Sequence, residues 1–235
     1  MSLQSAQLSA REASMAIEVY WGSGSPFAWR VLLALEYKRL PYRGHLLQFS
    51  KQEHKSPQML ALNPRGRLPV LKDGDYVCFE SLAMLYYLER KYPQPPLFGR
   101  SAEEGGTIMR VICEYQAYIE PQVTRIVTAV FGGKDDLGGD EITAAMHAVA
   151  SEARTIEGRL SKSDWIVGDA YSAVDMVIFP GIQLLKRALE KPQAAALSSR
   201  FMPLEVNYPA LGRWLARVAA QPGYERTYPP HWRTP

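Results

Sequence analysis

The chain has 235 residues, 47% of them hydrophobic, enough for one large domain or two modest ones with real cores. Its net charge of +3 comes from scattered Lys and Arg rather than a basic block, and no nucleic-acid motif accompanies them, so no nucleic-acid partner is expected. Cys78 and Cys113 stand far apart in no CxxC pair, which leaves disulfide stapling, a zinc site and dithiol redox chemistry without ligands and fits a reducing cytoplasmic location.

Met1 to Ser14 is polar and Ala/Ser/Gln-rich without an apolar h-region, and it reads as a disordered or extended tail rather than a signal peptide. Ile17 to Trp21 is a short β-prone run, broken by Gly22-Ser23-Gly24-Ser25 before a helix that starts at Pro26. Phe27, Val31, Ala34 and Leu35 recur at helical spacing, and Arg30, Glu36 and Lys38 are expected to reach water. A second strand is expected within Tyr42 to Phe49, and a short helix from Pro57 to Leu62. Leu68 to Lys72 and Tyr76 to Phe79 then form a hairpin across Asp73-Gly74-Asp75, with Val70 and Phe79 in its core. Ser81 opens a helix that runs to Tyr92.

Tyr92-Pro93-Gln94-Pro95-Pro96 is the clearest boundary, because prolines stop the preceding helix and favour an extended linker. Beyond it the chain reads as helical: Thr107 to Phe131 with a bend at Pro121, Asp140 to Leu160, Ser172 to Glu190 and Tyr208 to Gln221, with Gly132-Gly133 and Gly138-Gly139 as flexible points. The most apolar stretch, Trp165 to Leu185, is interrupted by Asp169, Asp175 and Pro180, so no membrane span is expected. Ser172-Ala173-Val174-Asp175 is a capping-box pattern, with Tyr171 and Met176 as its staple, and it is assigned to folding rather than catalysis.

The most informative residues surround the hairpin. Pro69 cannot donate to a ladder, so it belongs at a strand start or an exposed edge, and a cis Leu68-Pro69 bond would leave the Leu68 backbone free to pair with an extended peptide. The free N–H groups and positive dipole end at Ser81 favour a carboxylate, and Glu80 beside it can hold an ammonium. Such a pair suits the α-amino acid end of a γ-glutamyl peptide. This constellation resembles the glutathione-binding domain of the cytosolic glutathione transferases, and the resemblance extends from about Met15 to the end of the chain.

That resemblance implies an α/β thioredoxin-like domain over residues 15–92 in the order β-α-β-α-β-β-α. A linker over 93–104 and an all-α domain over 105–235 complete the expected arrangement. Ser25-Pro26-Phe27-Ala28 resembles the active-site segment of serine-type classes such as tau, phi and zeta, which makes Ser25 the candidate thiol-activating hydroxyl; Ser23 is the alternative and Tyr20 a third. The Ser in place of the Cys of omega enzymes argues against thioltransferase chemistry. His54 and Lys55 resemble the phi-class pair that reaches the glycyl carboxylate, and Arg67, where relatives usually carry Gln or Lys, would still donate to it. Leu68, Pro69, Glu80 and Ser81 complete the implied glutathione site. Tyr115, Tyr118, Gln122 and Arg125 are candidates for a second-substrate pocket, while the aromatic segment Tyr224 to Trp232 either covers the pocket mouth or packs outside. The implied activity is conjugation of glutathione, as co-substrate, to a small soft electrophile in detoxification, by a homodimer and without a metal. The alternatives are a non-catalytic binding or adaptor protein of the same fold, or a glutathione-dependent isomerase, dehalogenase or peroxidase.

Overall fold

The computed structural model describes residues 17–133, 137, 139–199 and 201–233; the expected tail at Met1 to Ser14, and Gly138, lie outside them. The chain divides into two units, one holding the described residues up to Pro95 together with those from Arg226 onward, the other Pro96–Glu225.

The first unit contains β1 (Ile17–Trp21), α1 (Pro26–Tyr37), β2 (Tyr42–Leu46), α2 (Pro57–Leu62), β3 (Val70–Asp73), β4 (Tyr76–Phe79) and α3 (Ser81–Lys91), in the expected order. The sheet runs β2-β1-β3-β4, with β1 parallel to β2 and antiparallel to β3. Parallel neighbours need a crossover, and α1 supplies it. Direct pairing of Val19 with Leu71 and of Leu71 with Cys78 puts these side chains on one face. Tyr20, Val70 and Val77 fall on the other, where they pack with Met59 of α2 and with Leu68. Strand β3 begins at Val70 rather than Leu68, since Pro69 has no N–H to offer the ladder; the Leu68-Pro69 bond is cis.

Helix α1 differs from its sequence reading on both its polar and its apolar side. Arg30, Glu36 and Lys38 do not reach water but are buried. Burial of a charge is tolerated only when polar partners replace the lost water, and Lys38 and Glu36 have such partners. The Lys38 ammonium donates to Glu89 Oε2 at 3.0 Å and to the carbonyls of Tyr92 and Pro95 at 2.5 and 2.7 Å, although desolvation still lowers its pKa. The Glu36 carboxylate accepts from the Tyr42 hydroxyl at 2.9 Å, and Arg30 Nη1 donates to Ser81 Oγ at 3.5 Å. Of the apolar side as read, Val31, Ala34 and Leu35 are close to fully covered, as is Leu32, whereas Phe27 in the first turn is exposed. Each larger aliphatic contributes about 1.5–3 kcal/mol of burial free energy.

The second unit holds helices and no strand among its described residues: α4 (Ala102–Glu114), α5 (Glu120–Phe131), α6 (Asp140–Leu160), α7 (Ala173–Leu189), the short α8 (Ala195–Ser198) and α9 (Leu204–Asn207), and α10 (Pro209–Ala219). A last short helix, α11 (Tyr224–Thr227), leads into the C-terminal segment. Helix α4 starts before Thr107, because the Ser101 hydroxyl accepts from Glu104 N–H at 3.2 Å and carries the helix through Gly105-Gly106. The bend expected at Pro121 takes the form of a π-helical turn, Tyr115–Ile119, just before it. Pro121 lacks the N–H for the Ala117 carbonyl, and the Glu120 N–H bonds Tyr115 O instead. The Ser172–Asp175 capping box is present, with Asp175 fully buried at the start of α7. Among the described residues, no helix is long and apolar enough to cross a membrane.

Candidate functional site

The turn after β1 sets the geometry of the first candidate residue. Ser25 N–H closes on the Gly22 carbonyl at 3.2 Å, with Gly24 at φ +79°, the left-handed value that the third residue of a type II turn requires. Ser25 leaves this turn in an extended conformation and caps α1, its Oγ accepting from Ala28 N–H at 3.4 Å, with Pro26 as the first helical residue. The hydroxyl hydrogen is not used by that bond. It can be donated to an anion at the helix N-terminus, where the dipole adds its positive end.

Ser25 borders a cleft of about 550 Å³ that also brings together His54, Lys55, Arg67, Leu68, Pro69, Glu80 and Ser81. The ladder between β1 and β3 starts at Tyr20 and Val70, so the Leu68 backbone lies beyond it. Glu80 stands at φ +71°, ψ 109°, an uncommon and costly conformation for a residue with a β-carbon, and from there leads into α3. Ser81 is buried at the first position of α3, and the buried Arg30 guanidinium adds positive charge behind it. Lys55, Arg65 and Arg67 have no ion-pair partner among the described residues, and the buried His54 Nδ1 has no hydrogen-bond partner there. The rim is therefore cationic on one side, with a lone carboxylate at Glu80.

Phe27, which the sequence placed on the apolar side of α1 within the Ser25–Ala28 segment, and Phe49, which nothing in the sequence singled out, also line the cleft. Phe49 is held by Gly22: a β-carbon there would come within 2.2 Å of the ring, so a glycine is needed for this contact. Asn63, Arg65 and Gly66 contribute the loop before Leu68. The buried Asn63 folds that loop, donating to the Arg67 carbonyl at 2.8 Å and accepting from Arg65 N–H at 3.1 Å. An Asn-Pro dipeptide followed by Gly was the available signal.

The alternative hydroxyls lie elsewhere. Ser23 does not line the cleft; its Oγ is 2.6 Å from His231 Nδ1. The Tyr20 hydroxyl donates to Glu18 Oε2 at 3.4 Å, and burial raises its pKa. In the C-terminal segment, Thr227 accepts from Trp29 Nε1 of α1 at 2.8 Å, Tyr228 and Trp232 meet the Trp29 ring edge-on, and none of its described residues lines the cleft.

The four second-substrate candidates separate. Tyr115 is buried, and a β-carbon on Gly181 of α7 would fall 1.9 Å from its hydroxyl, so it packs within the helical unit. Tyr118 is 61% exposed, and Arg125 donates to Gln122 Oε1 at 2.8 Å and pairs with Glu141 at 2.9 Å. Among the described residues, no group of three or more His, Cys, Asp or Glu side chains is placed to hold a metal ion.

Comparison with known proteins agrees with this fold. Residues 20–96 match the glutathione S-transferase N-terminal domain and residues 119–222 the C-terminal domain of the same family. Glutathione S-transferase A of Pleuronectes platessa is 31% identical over 229 residues, covering 90% of this chain and 91% of that protein. Maleylacetoacetate isomerase of Pseudomonas aeruginosa is 27% identical, covering 92% and 96%. The crystal structure of a glutathione S-transferase from the Antarctic clam Laternula elliptica superposes with a TM-score of 0.81 at 31% identity, covering 94% of this chain and 95% of that one. A thioredoxin-like sheet, a helical second unit and matches to both halves along nearly the whole length lead to one conclusion: the chain belongs to the glutathione S-transferase family.

Proposed function

We propose that this protein is a serine-type glutathione transferase that binds glutathione in the cleft of the first unit and uses Ser25 to hold its thiol as the thiolate. The observation that carries the reading is the Ser25 hydroxyl at the N-terminus of α1, on the same cleft as Glu80, Ser81 and the Leu68 backbone. The γ-glutamyl carboxylate would meet Ser81 and the first N–H groups of α3, and its ammonium Glu80. The cysteinyl backbone would pair with Leu68, and the glycyl carboxylate with His54, Lys55 and Arg67. The residual hydrogen-bonding capacity of these side chains supports that assignment.

A free thiol with a pKa near 8.5 is only about 3% ionised at pH 7, and lowering that value by about two units takes about 2.7 kcal/mol of preferential thiolate stabilisation. A hydroxyl donor and a helix N-terminus acting together are suited to that task. The thiol proton leaves to solvent. The thiolate then attacks a soft electrophile, either displacing a leaving group or adding across an activated double bond. We assign the protein to cytoplasmic detoxification chemistry as a homodimer; light scattering should give twice the chain mass of 26.4 kDa at micromolar concentration.

Glutathione-dependent isomerisation is a second reading, favoured by the likeness to a maleylacetoacetate isomerase. It uses the same thiolate, which adds to a double bond and is expelled again, so that glutathione is not consumed. Product analysis separates the two. The reading of Ser25 is tested by titrating the ultraviolet absorbance of bound thiolate against pH. Ser25→Ala should move the pKa back toward the free value and lower turnover with an aryl halide such as chlorodinitrobenzene, leaving glutathione affinity nearly unchanged. Identical titrations in the two proteins would refute the role of Ser25.

A further inference from the structure

The hydroxyl proposed to hold the thiolate ends a turn with little intrinsic rigidity. Gly22-Ser23-Gly24-Ser25 contains two glycines, which lose more conformational freedom on ordering than any other residue. The Ser25 carbonyl accepts the first bond of α1 from Trp29 N–H at 3.0 Å, but the bonds that hold the turn and the hydroxyl are long: 3.2 Å from Ser25 N–H to Gly22 O and 3.4 Å from Ala28 N–H to Ser25 Oγ. A reacting hydroxyl has to be held to within about half an ångström. Something else has to fix this turn.

The C-terminal segment touches both of its central residues. His231 Nδ1 is 2.6 Å from Ser23 Oγ, a short hydrogen bond across 208 positions of sequence. At Gly24, a β-carbon would come within 2.8 Å of His231 Cε1 and 3.2 Å of Trp232 Nε1, so the imidazole and indole close directly over the turn. The segment is anchored on α1, the helix that Ser25 caps. Thr227 Oγ1 accepts the buried Trp29 indole N–H at 2.8 Å, the Tyr228 and Trp232 rings meet Trp29 edge-on at 5.8 and 5.5 Å, and Arg226 Nε lies 3.3 Å from Glu36 Oε1. These contacts close a loop from α1 through the segment to the turn and back to α1. A displacement of Ser25 would have to break it.

We propose that Thr227–Trp232 is a positioning element of the reactive turn, and that His231 is the positioning residue through which it orients the Ser25 hydroxyl, by way of Ser23. This rests on the reading of Ser25 as the thiolate donor. Ser23, in the same view, is a structural relay and not a second reacting hydroxyl.

The test compares the full-length wild type with His231→Ala, Ser23→Ala, the double variant, His231→Asn and Ser25→Ala. The readouts are turnover of chlorodinitrobenzene, KM for glutathione and the thiolate titration. His231→Ala and Ser23→Ala should each lower kcat by roughly 10-fold and shift the bound-thiol pKa upward, with KM for glutathione changing little. The double variant should be no worse than either single one, because both break the same bond. His231→Asn, whose amide can occupy the position of Nδ1, should recover most of the loss. Wild-type kcat and titration in His231→Ala, beside an impaired Ser25→Ala, would overturn this inference and leave Ser25 in place. Additive losses, or a fall in stability without a titration shift or rescue by Asn, would overturn it equally. A Ser25→Ala protein with the wild-type titration would instead overturn the reading of Ser25, and the role of His231 with it.

Discussion

Asp175 offers a quantitative test of how the helical unit is held together. Its fully buried carboxylate accepts four hydrogen bonds: Ile166 N–H at 3.2 Å and Trp214 Nε1–H at 2.8 Å on Oδ1, and Ser172 N–H at 3.0 Å and Ser172 Oγ–H at 3.2 Å on Oδ2. Desolvation nevertheless outweighs those bonds and raises the pKa from 3.8 to about 6. The folded state therefore holds its proton more tightly than the unfolded chain, so the associated stability is fully present below pH 3.8 and is lost as pH rises through about 6. At about 1.4 kcal/mol per pH unit, the loss between pH 4 and pH 7 is about 2–3 kcal/mol. Asp175→Asn removes the titration at similar volume. Urea unfolding of both proteins, followed by tryptophan fluorescence across that range, should show the wild-type-minus-variant stability falling by this amount, most steeply between pH 4 and 6. A flat difference, or one that rises with pH, would refute the reasoning. Asp175→Ala at pH 7 strands the Ile166, Ser172 and Trp214 donors and should cost about 3–5 kcal/mol.

Glu80→Ala should weaken glutathione affinity by about 1.5–3 kcal/mol, as measured by calorimetry, through loss of a charge-assisted hydrogen bond to the ammonium; an unchanged affinity with an intact fold would rule that pairing out. Gly181→Ala puts a β-carbon 1.9 Å from the buried Tyr115 hydroxyl and should cost about 1–3 kcal/mol, read as a lowered Tm; an unchanged Tm would show that the ring yields freely. Ser25→Cys should gain thioltransferase activity, because a thiol at a helix N-terminus is activated as a nucleophile; a mixed disulfide with glutathione, detected by mass spectrometry, is the expected product.

The helix starts and turns were legible in the sequence because they are made by residues close together in the chain. Ser25-Pro26 and Ser56-Pro57 start helices through their own side chains, Gly74 turns the hairpin, and the Ser172–Asp175 box closes over three residues. Each is a bond or a backbone preference complete within a few positions, so the tertiary structure did not need to supply it. The β-α-β order was legible in the same way, and the structure pairs β1 with β2 in parallel across that crossover.

Tertiary structure decided what covers each polar face. Helical spacing marked the apolar side of α1 but carried no information about the other side, where Glu89, Tyr42 and Ser81 meet Lys38, Glu36 and Arg30 and keep them from water. Tyr115 and Tyr118 lie in one helical segment of the sequence, whereas packing on Gly181 buries the first and leaves the second exposed. Nothing local links Ser23 to His231, or Trp29 to Thr227. Contacts across some two hundred residues are set by which surfaces the folded chain brings together, and hydrophobic periodicity reports only which side of an element must be covered, not by what.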